Sequence, residues 1–370
     1  MVAAVFARGR SAERALKRRR TANRFIPSLE SVRGLAALTV CLFHAADIQY
    51  LDRPILNNDA FLRLILNGHG AVILFFVLSG FVLRLSLEKK RSTPLLALSF
   101  RFVMARIFRL YPVVIATVIV FASVAFFLGV EQILIAKITK NALLLDTTIN
   151  GAFWTLQVEL FGSALVLVAF LLERRFGLLS VVVLTMALLP LSFVGSRGHI
   201  GGAVHVGYLY PFLCGYLVAT WPRQSARSFW YPALALSVGL IAFYGAHANG
   251  YVLKQGLLLV TTIGASLIVF ALSRPGYENS LGWSPIASLG RLSYSFYALH
   301  PLGIDFAVRL TSPIEKLSPP HWIVAALLMS LAVVMTLLLS IPMNYFIERP
   351  GLAIGRRLVE ASVPRNAVPT

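Results

Sequence analysis

Ten predominantly apolar stretches, each at least 17 residues long, recur between residues 34 and 341. They are Gly34–Tyr50, Gly70–Leu87, Leu110–Gly129, Ala152–Leu172, Leu178–Val194, Val204–Trp221, Trp230–Ala246, Gly256–Leu272, Leu292–Leu310 and Trp322–Ile341. A helix crossing a hydrocarbon core ~30 Å thick needs about 20 such residues, with a range of roughly 17–25. Composition agrees with a lipid solvent. Apolar residues make up 58% of the chain and charged ones 13%, against roughly 45–50% and about 25% in soluble domains. The pattern predicts an all-α polytopic membrane protein of about ten transmembrane helices.

The formal net charge is +19, from 34 basic and 15 acidic residues. In a soluble chain that excess would suggest nucleic acid. Here its location explains it. With the N-terminus in the cytoplasm and the ten segments alternating, 26 of the basic residues fall inside and 8 outside. Lys and Arg concentrate in cytoplasmic loops, so the bias predicts that the N-terminus and C-terminus are both cytoplasmic, with the lipid bilayer as partner and no nucleic acid. Residues 1–24 form a basic cytoplasmic head, 25–350 the transmembrane domain and 351–370 a short cytoplasmic tail. The basic head before an apolar run resembles a secretory signal. His44 is a poor residue for a cleavage site, however, and a retained first helix is expected. Glu131–Thr148 carries Lys137 and Lys140 at helical spacing and reads as an amphipathic interfacial helix. The two cysteines, Cys41 and Cys214, lie in apolar runs, so neither a disulfide framework nor a Cys-based metal site follows.

Polar residues at membrane depth are costly and therefore candidates for function. Arg33 opens the first segment and His44 lies eleven residues further, about 16 Å along a helix and near the expected midplane. Eleven residues is close to three turns, so both share a face. Asp47 follows His44 by three residues and can meet it there, fixing the imidazole tautomer and raising its basicity. The plainer alternative is a bundle histidine bonded to a helix carbonyl. Glu159, near the outer end of its segment, reads equally as a proton or cation site and as a structural acceptor. His300 lies nine residues past Arg291, again near mid-depth, and Tyr294 and Tyr297 between them could be mere interfacial aromatics. Arg101, Arg106 and Arg109 could simply set topology. With Arg33 and Arg291 they also form a cytoplasmic cluster suited to phosphate or pyrophosphate, which guanidinium groups bind bidentately.

Six blocks, in order, resemble the acyltransferase-3 family of bacterial integral membrane acyltransferases. They are Arg33-Gly34-Leu35 running to His44, Phe75-Phe76-Val77-Leu78-Ser79-Gly80-Phe81, and Arg106-Ile107-Phe108-Arg109-Leu110-Tyr111-Pro112. They continue with Trp154-Thr155-Leu156-Gln157-Val158-Glu159, then Leu289-Gly290-Arg291 through Tyr297 to His300-Pro301, and close with Phe346-Ile347-Glu348-Arg349-Pro350. The chain departs from the family pattern at Ile73, where an Asp is common, and at Thr155, Glu30 and Leu299.

The resemblance implies O-acyl transfer from an acyl-coenzyme A donor, acetyl-coenzyme A foremost, to a hydroxyl of a cell-surface carbohydrate or related acceptor. It also implies residence in the bacterial inner membrane. Arg33, Arg106, Arg109 and Arg291 would hold the donor's phosphates. His44 would act as base or acyl carrier, with Asp47 or Glu159 stabilising its imidazolium and His300 in a secondary role. Ser79 or Tyr297 would donate to the thioester oxyanion, and Trp154 would help frame the site. From composition alone, a transporter or flippase for a polysaccharide or lipid-linked substrate fits a bundle with polar groups at mid-depth equally well. A structural component of a polysaccharide assembly complex is a third reading, and one that would not need His44.

Overall fold

The computed structural model describes residues 26–47, 62, 65–129, 135–190, 199–200, 204–221, 230–248, 256–282, 284–315 and 320–361. The basic head and the C-terminal ends of the first and fifth segments, at Tyr50 and Val194, lie outside the described residues.

The described residues are helical almost throughout. Its elements are α1 (Pro27–Ala46), α2 (Gly68–Glu88), α3 (Leu95–Phe127), α4 (Ile135–Ala142), α5 (Trp154–Phe176), α6 (Leu178–Leu188), α7 (Tyr210–Thr220), α8 (Trp230–Ala248), α9 (Leu257–Leu272), α10 (Ser284–Glu315), α11 (His321–Met343) and α12 (Arg349–Ala361). Between α6 and α7, β1 (His199–Ile200) and β2 (Val204–His205) pair antiparallel, Ile200 opposite Val204. A π turn, Asn344–Glu348, joins α11 to α12.

Five helical stretches among the described residues are long and apolar enough to cross a membrane: Pro27–Ala46, Gly68–Glu88, Leu95–Phe127, Gly151–Phe176 and Trp322–Ala361. Leu178–Leu188, Val206–Thr220, Tyr231–Tyr244 and Leu257–Leu272 are apolar but shorter. The protein is thus a multi-pass membrane protein. The boundaries differ from the sequence-based ones for local reasons. The sixth apolar segment opens with β2 and a 3-10 turn rather than with helix. Gly201 and Gly202 disfavour helix ahead of it, and Pro211 then starts α7 at a position where its missing N–H is harmless. Pro27 starts α1 in the same way, so Arg33 sits in the second turn instead of opening the helix. α3 begins fifteen residues before Leu110, which places Arg101, Arg106 and Arg109 on a helix. The expected interfacial helix reduces, within the described residues, to the eight of α4. Within the expected tail, residues 351–361 belong to α12, a basic helix with exposed Ile354 and Leu358.

α2 is the central helix. Ile73, Val77, Leu78 and Phe81 are at most 1% exposed. Ile73 fills this core, so the absent acid leaves no gap there. Two glycine pairs set the helix spacing. A Cβ on Gly34 would lie 2.6 Å from the Ile286 carbonyl oxygen, and one on Gly290 would overlap the Glu30 carbonyl. α1 and α10 therefore touch backbone to backbone, as small residues permit inside membranes. Gly80 and Gly215 do the same for α2 and α7, against the carbonyls of Phe212 and Val77. With Gly80 turned to α7, the neighbouring Phe75, Phe76 and Ser79 line a space on another side of α2. Outward, α3 and α11 present Ile115, Ile119, Phe126, Leu338 and Ile341, the apolar surface a lipid-facing helix requires.

Candidate active site

A cavity of about 280 Å³ opens between α1, α2, α3, α5 and α10. Val72, Phe75, Phe76 and Leu156 give it apolar walls, and Ser79, Thr155, Ser293 and Tyr297 contribute hydroxyl groups. Three arginines line it: Arg33 from α1, and Arg106 and Arg109 from α3. Arg106 and Arg109 are three apart on one helix and so share a face.

Each arginine has a carboxylate partner. Arg33 Nη1 donates to Glu30 Oε1 at 3.2 Å, one turn back on α1. Arg106 Nη2 donates to Glu159 Oε1 at 2.5 Å, joining α3 to α5. Arg109 Nη1 lies 3.2 Å from Glu348 Oε1 in the π turn. Glu348 is 2% exposed and its other oxygen accepts from Ser295 Oγ at 2.6 Å and Asn344 Nδ2 at 2.8 Å. Arg109 also lies over the Tyr294 ring, 5.4 Å from its centroid, while the Tyr294 hydroxyl donates to the Leu110 carbonyl at 2.9 Å. A guanidinium has five N–H donors. One carboxylate apiece holds the arginines in place and leaves donors for an anion in the cavity.

The far wall is Tyr297. Its hydroxyl lies 2.9 Å from Thr155 Oγ1, which is also 2.9 Å from the Ala152 carbonyl. Thr155 has one proton. When that proton goes to Ala152, Thr155 accepts from Tyr297; when it goes to Tyr297, the phenolic proton is released to another acceptor. The Tyr297 ring also meets His300, with centroids 5.3 Å apart. His300 is 2% exposed and faces His44, with ring centroids 5.1 Å apart and planes tilted by 35°. Both histidines bind helix carbonyls through Nδ1: His44 to Val40 at 2.9 Å and His300 to Tyr297 at 2.6 Å. A carbonyl only accepts, so Nδ1 carries the proton in each ring and Nε2 keeps the basic lone pair.

Several sequence expectations meet here. Arg33, Arg106, Arg109, Ser79, Glu159 and Tyr297 line one cavity, and His300 comes into contact with His44. No hydrogen bond or ion pair joins Asp47 to His44 among the described residues. α1 ends at Ala46, Asp47 adopts φ −90° and ψ 0° beyond it, and the Val40 carbonyl fixes the tautomer instead. The plainer reading of His44 as bonded to a helix carbonyl thus describes Nδ1 correctly. His44 lies in the last turn of α1 and is exposed. Glu159 serves Arg106 rather than an imidazole. Arg291 is exposed and donates to Ser288 Oγ at 2.6 Å, apart from the other three arginines. Trp154 packs behind the cavity wall on Tyr208 and Phe76, at 5.1 and 6.4 Å. Glu348 was visible only as a motif letter, and Tyr294 only as an aromatic. Their roles come from helices distant in sequence.

No curated protein and no solved structure matches the chain. A family model described as "Acyltransferase domain" matches residues 26–340, which include every cavity-lining residue and both histidines. A multi-pass helical bundle that gathers an arginine cluster and a histidine pair around one cavity is therefore a membrane acyltransferase, and the chain belongs to the acyltransferase-3 family.

Proposed function

We propose that the protein moves an acyl group, acetyl or similar, from acyl-coenzyme A to a hydroxyl of a cell-surface carbohydrate or related acceptor. The observation that carries this reading is the arginine-lined cavity whose wall residue, Tyr297, touches the His44–His300 pair. The donor's phosphates bind Arg33, Arg106 and Arg109, and its thioester extends past Ser79 and Tyr297. His44 Nε2 takes the proton of the acceptor hydroxyl as the oxygen attacks the thioester carbonyl. The Tyr297 hydroxyl, with Thr155 donating to it, stabilises the oxyanion. As the tetrahedral intermediate collapses, the C–O bond is kept and the C–S bond breaks. The imidazolium returns its proton to the departing thiolate. Exposure of His44 at the end of α1 suits an acceptor arriving from the side opposite the arginines.

In this reading the chain crosses the bacterial inner membrane ten times with both ends in the cytoplasm, as the 26-to-8 charge bias suggests. Reporter fusions in the loop before α2 test the orientation, and cytoplasmic signal there would overturn it. The activity is tested by mass spectrometry of envelope polysaccharide, lipid and secreted metabolites from cells with and without the protein. One class of molecule should lose a single acyl mass increment when the protein is absent. Identical spectra, together with no consumption of acyl-coenzyme A by the purified protein, would overturn the proposal.

A further inference from the structure

The arginine cavity does not end at Arg109. A second, smaller space of about 150 Å³ shares Leu83, Arg106 and Arg109 with it and continues along α3 to Lys90, Arg101 and Leu352. From there a groove of about 510 Å³ runs between α3 and α12, sharing Lys90, Arg101 and Leu352 and adding Arg356 and Glu360. The three spaces follow one another along α3, each sharing lining residues with the next, from Tyr297 to Arg356.

The outer groove differs from the cavity in charge. Lys90, Arg101 and Arg356 face a single acid, Glu360. Among the described residues no ion pair joins any of the three cations to a carboxylate. Burial, and after it the neighbouring Arg101 charge, holds the Lys90 ammonium below the usual lysine range. A groove lined by mostly one sign of charge raises the local potential that attracts an anion. The groove is also kept open by construction. α12 sits against α3 through Gly351 and Gly355, where an added Cβ would come within 2.8 Å of Pro112 Cγ and 2.5 Å of Phe108 Cβ. That contact brings Arg356 up to Arg101 without filling the space between them. Arg101 and Arg106 are five residues apart on α3, about 7.5 Å by helical rise.

From this path we infer that the groove between α3 and α12 binds the nucleotide end of the donor, with Lys90, Arg101 and Arg356 holding a ribose phosphate while Arg106 and Arg109 hold the pyrophosphate. The inference rests on the donor reading above and adds a separate recognition site to it. The groove therefore selects donors that carry a second, distal phosphate.

The test uses the full chain in phosphatidylcholine nanodiscs and adenosine 3′,5′-bisphosphate as the probe. The probe should bind wild type, and Arg101→Glu together with Arg356→Glu should weaken binding at least tenfold. In turnover, the double variant should raise KM for acyl-coenzyme A at least tenfold. It should leave turnover of the acyl-pantetheine thioester, which lacks the nucleotide, unchanged. Equal probe binding by wild type and variant would overturn the site while leaving acyl transfer intact. Binding that appears only in phosphatidylglycerol nanodiscs, as lipid capture, would assign the groove to headgroups and overturn it too. Absence of turnover with either thioester would count against the donor reading, and probe binding would still decide the groove.

Discussion

Two clusters of arginine and glutamate lie within this bundle, and they are used differently. One ties α2, α5 and α7 together. Arg84 Nη2 meets Glu173 Oε1 at 3.0 Å and Arg84 Nη1 meets Glu88 at 2.8 Å. Arg91 reaches the same two acids at 3.0 and 3.1 Å. The Tyr216 hydroxyl donates to the other Glu173 oxygen, and the Arg84 guanidinium lies over Phe170 and Tyr216, 5.6 and 5.3 Å from the ring centroids. Both oxygens of Glu173 are taken, and the cluster borders none of the three spaces described above. The other cluster, Arg33, Arg106 and Arg109, gives each guanidinium one carboxylate and faces a void. Residue types are the same in both, so charge alone does not mark a binding site. What distinguishes them is whether donors remain unspent beside empty volume.

The largest effect expected from this contrast is on folding. Arg84→Met removes the buried one of the two cations that meet Glu173 at 3.0 Å, and breaking a buried pair costs about 3–5 kcal/mol. The variant should show a much lower melting temperature, or too little monodisperse protein to melt. Adding Glu173→Gln should recover most of the loss, because the pair is removed together. A wild-type melting curve for Arg84→Met would show that the first cluster is not structural. Next in size is chemistry. His44→Gln should lower turnover by roughly 10²-fold or more with unchanged melting, whereas His300→Ala should keep part of the activity. Near wild-type acyl transfer by purified His44→Gln would end the base assignment. Smaller again, Arg106→Lys keeps its charge but loses the planar fork. Roughly tenfold weaker donor use, about 1.4 kcal/mol, is expected, with folding intact. Arg291→Ala, measured alongside, should match wild type. An equal effect at both positions would mean that the cavity arginines act only through bulk charge.

How much of this was legible in the sequence depended on how local the determinant was. Arg106 and Arg109 stand out as a basic cluster ahead of Leu110 and as part of a family block, Glu159 as an acid inside an apolar run, and Ser79 only through its family block. Asp47 lies just past the end of α1 and makes no hydrogen bond or ion pair with His44 among the described residues, a detail of contact that sequence spacing alone does not decide. Arg291 shares a sequence block with Tyr297 and His300, yet six residues separate it from Tyr297, and the helix carries it out to solvent. The contact between His44 and His300 could be anticipated only as a shared depth. Proximity needed the Gly34–Gly290 approach, a tertiary fact. Glu348 is the extreme case, since a π turn and two other helices jointly turn an isolated acid into the anchor of Arg109.

The glycine contacts also limit what the sequence can change. At Gly34 and Gly290, α1 and α10 approach backbone to backbone, and a Cβ at either position would meet a carbonyl of the other helix. Arg33 and His44 stand on one of these helices and Tyr297 and His300 on the other. Any larger residue at position 34 or 290 would therefore part the two halves of the site, so residues without side chains set the spacing of the groups that carry the chemistry.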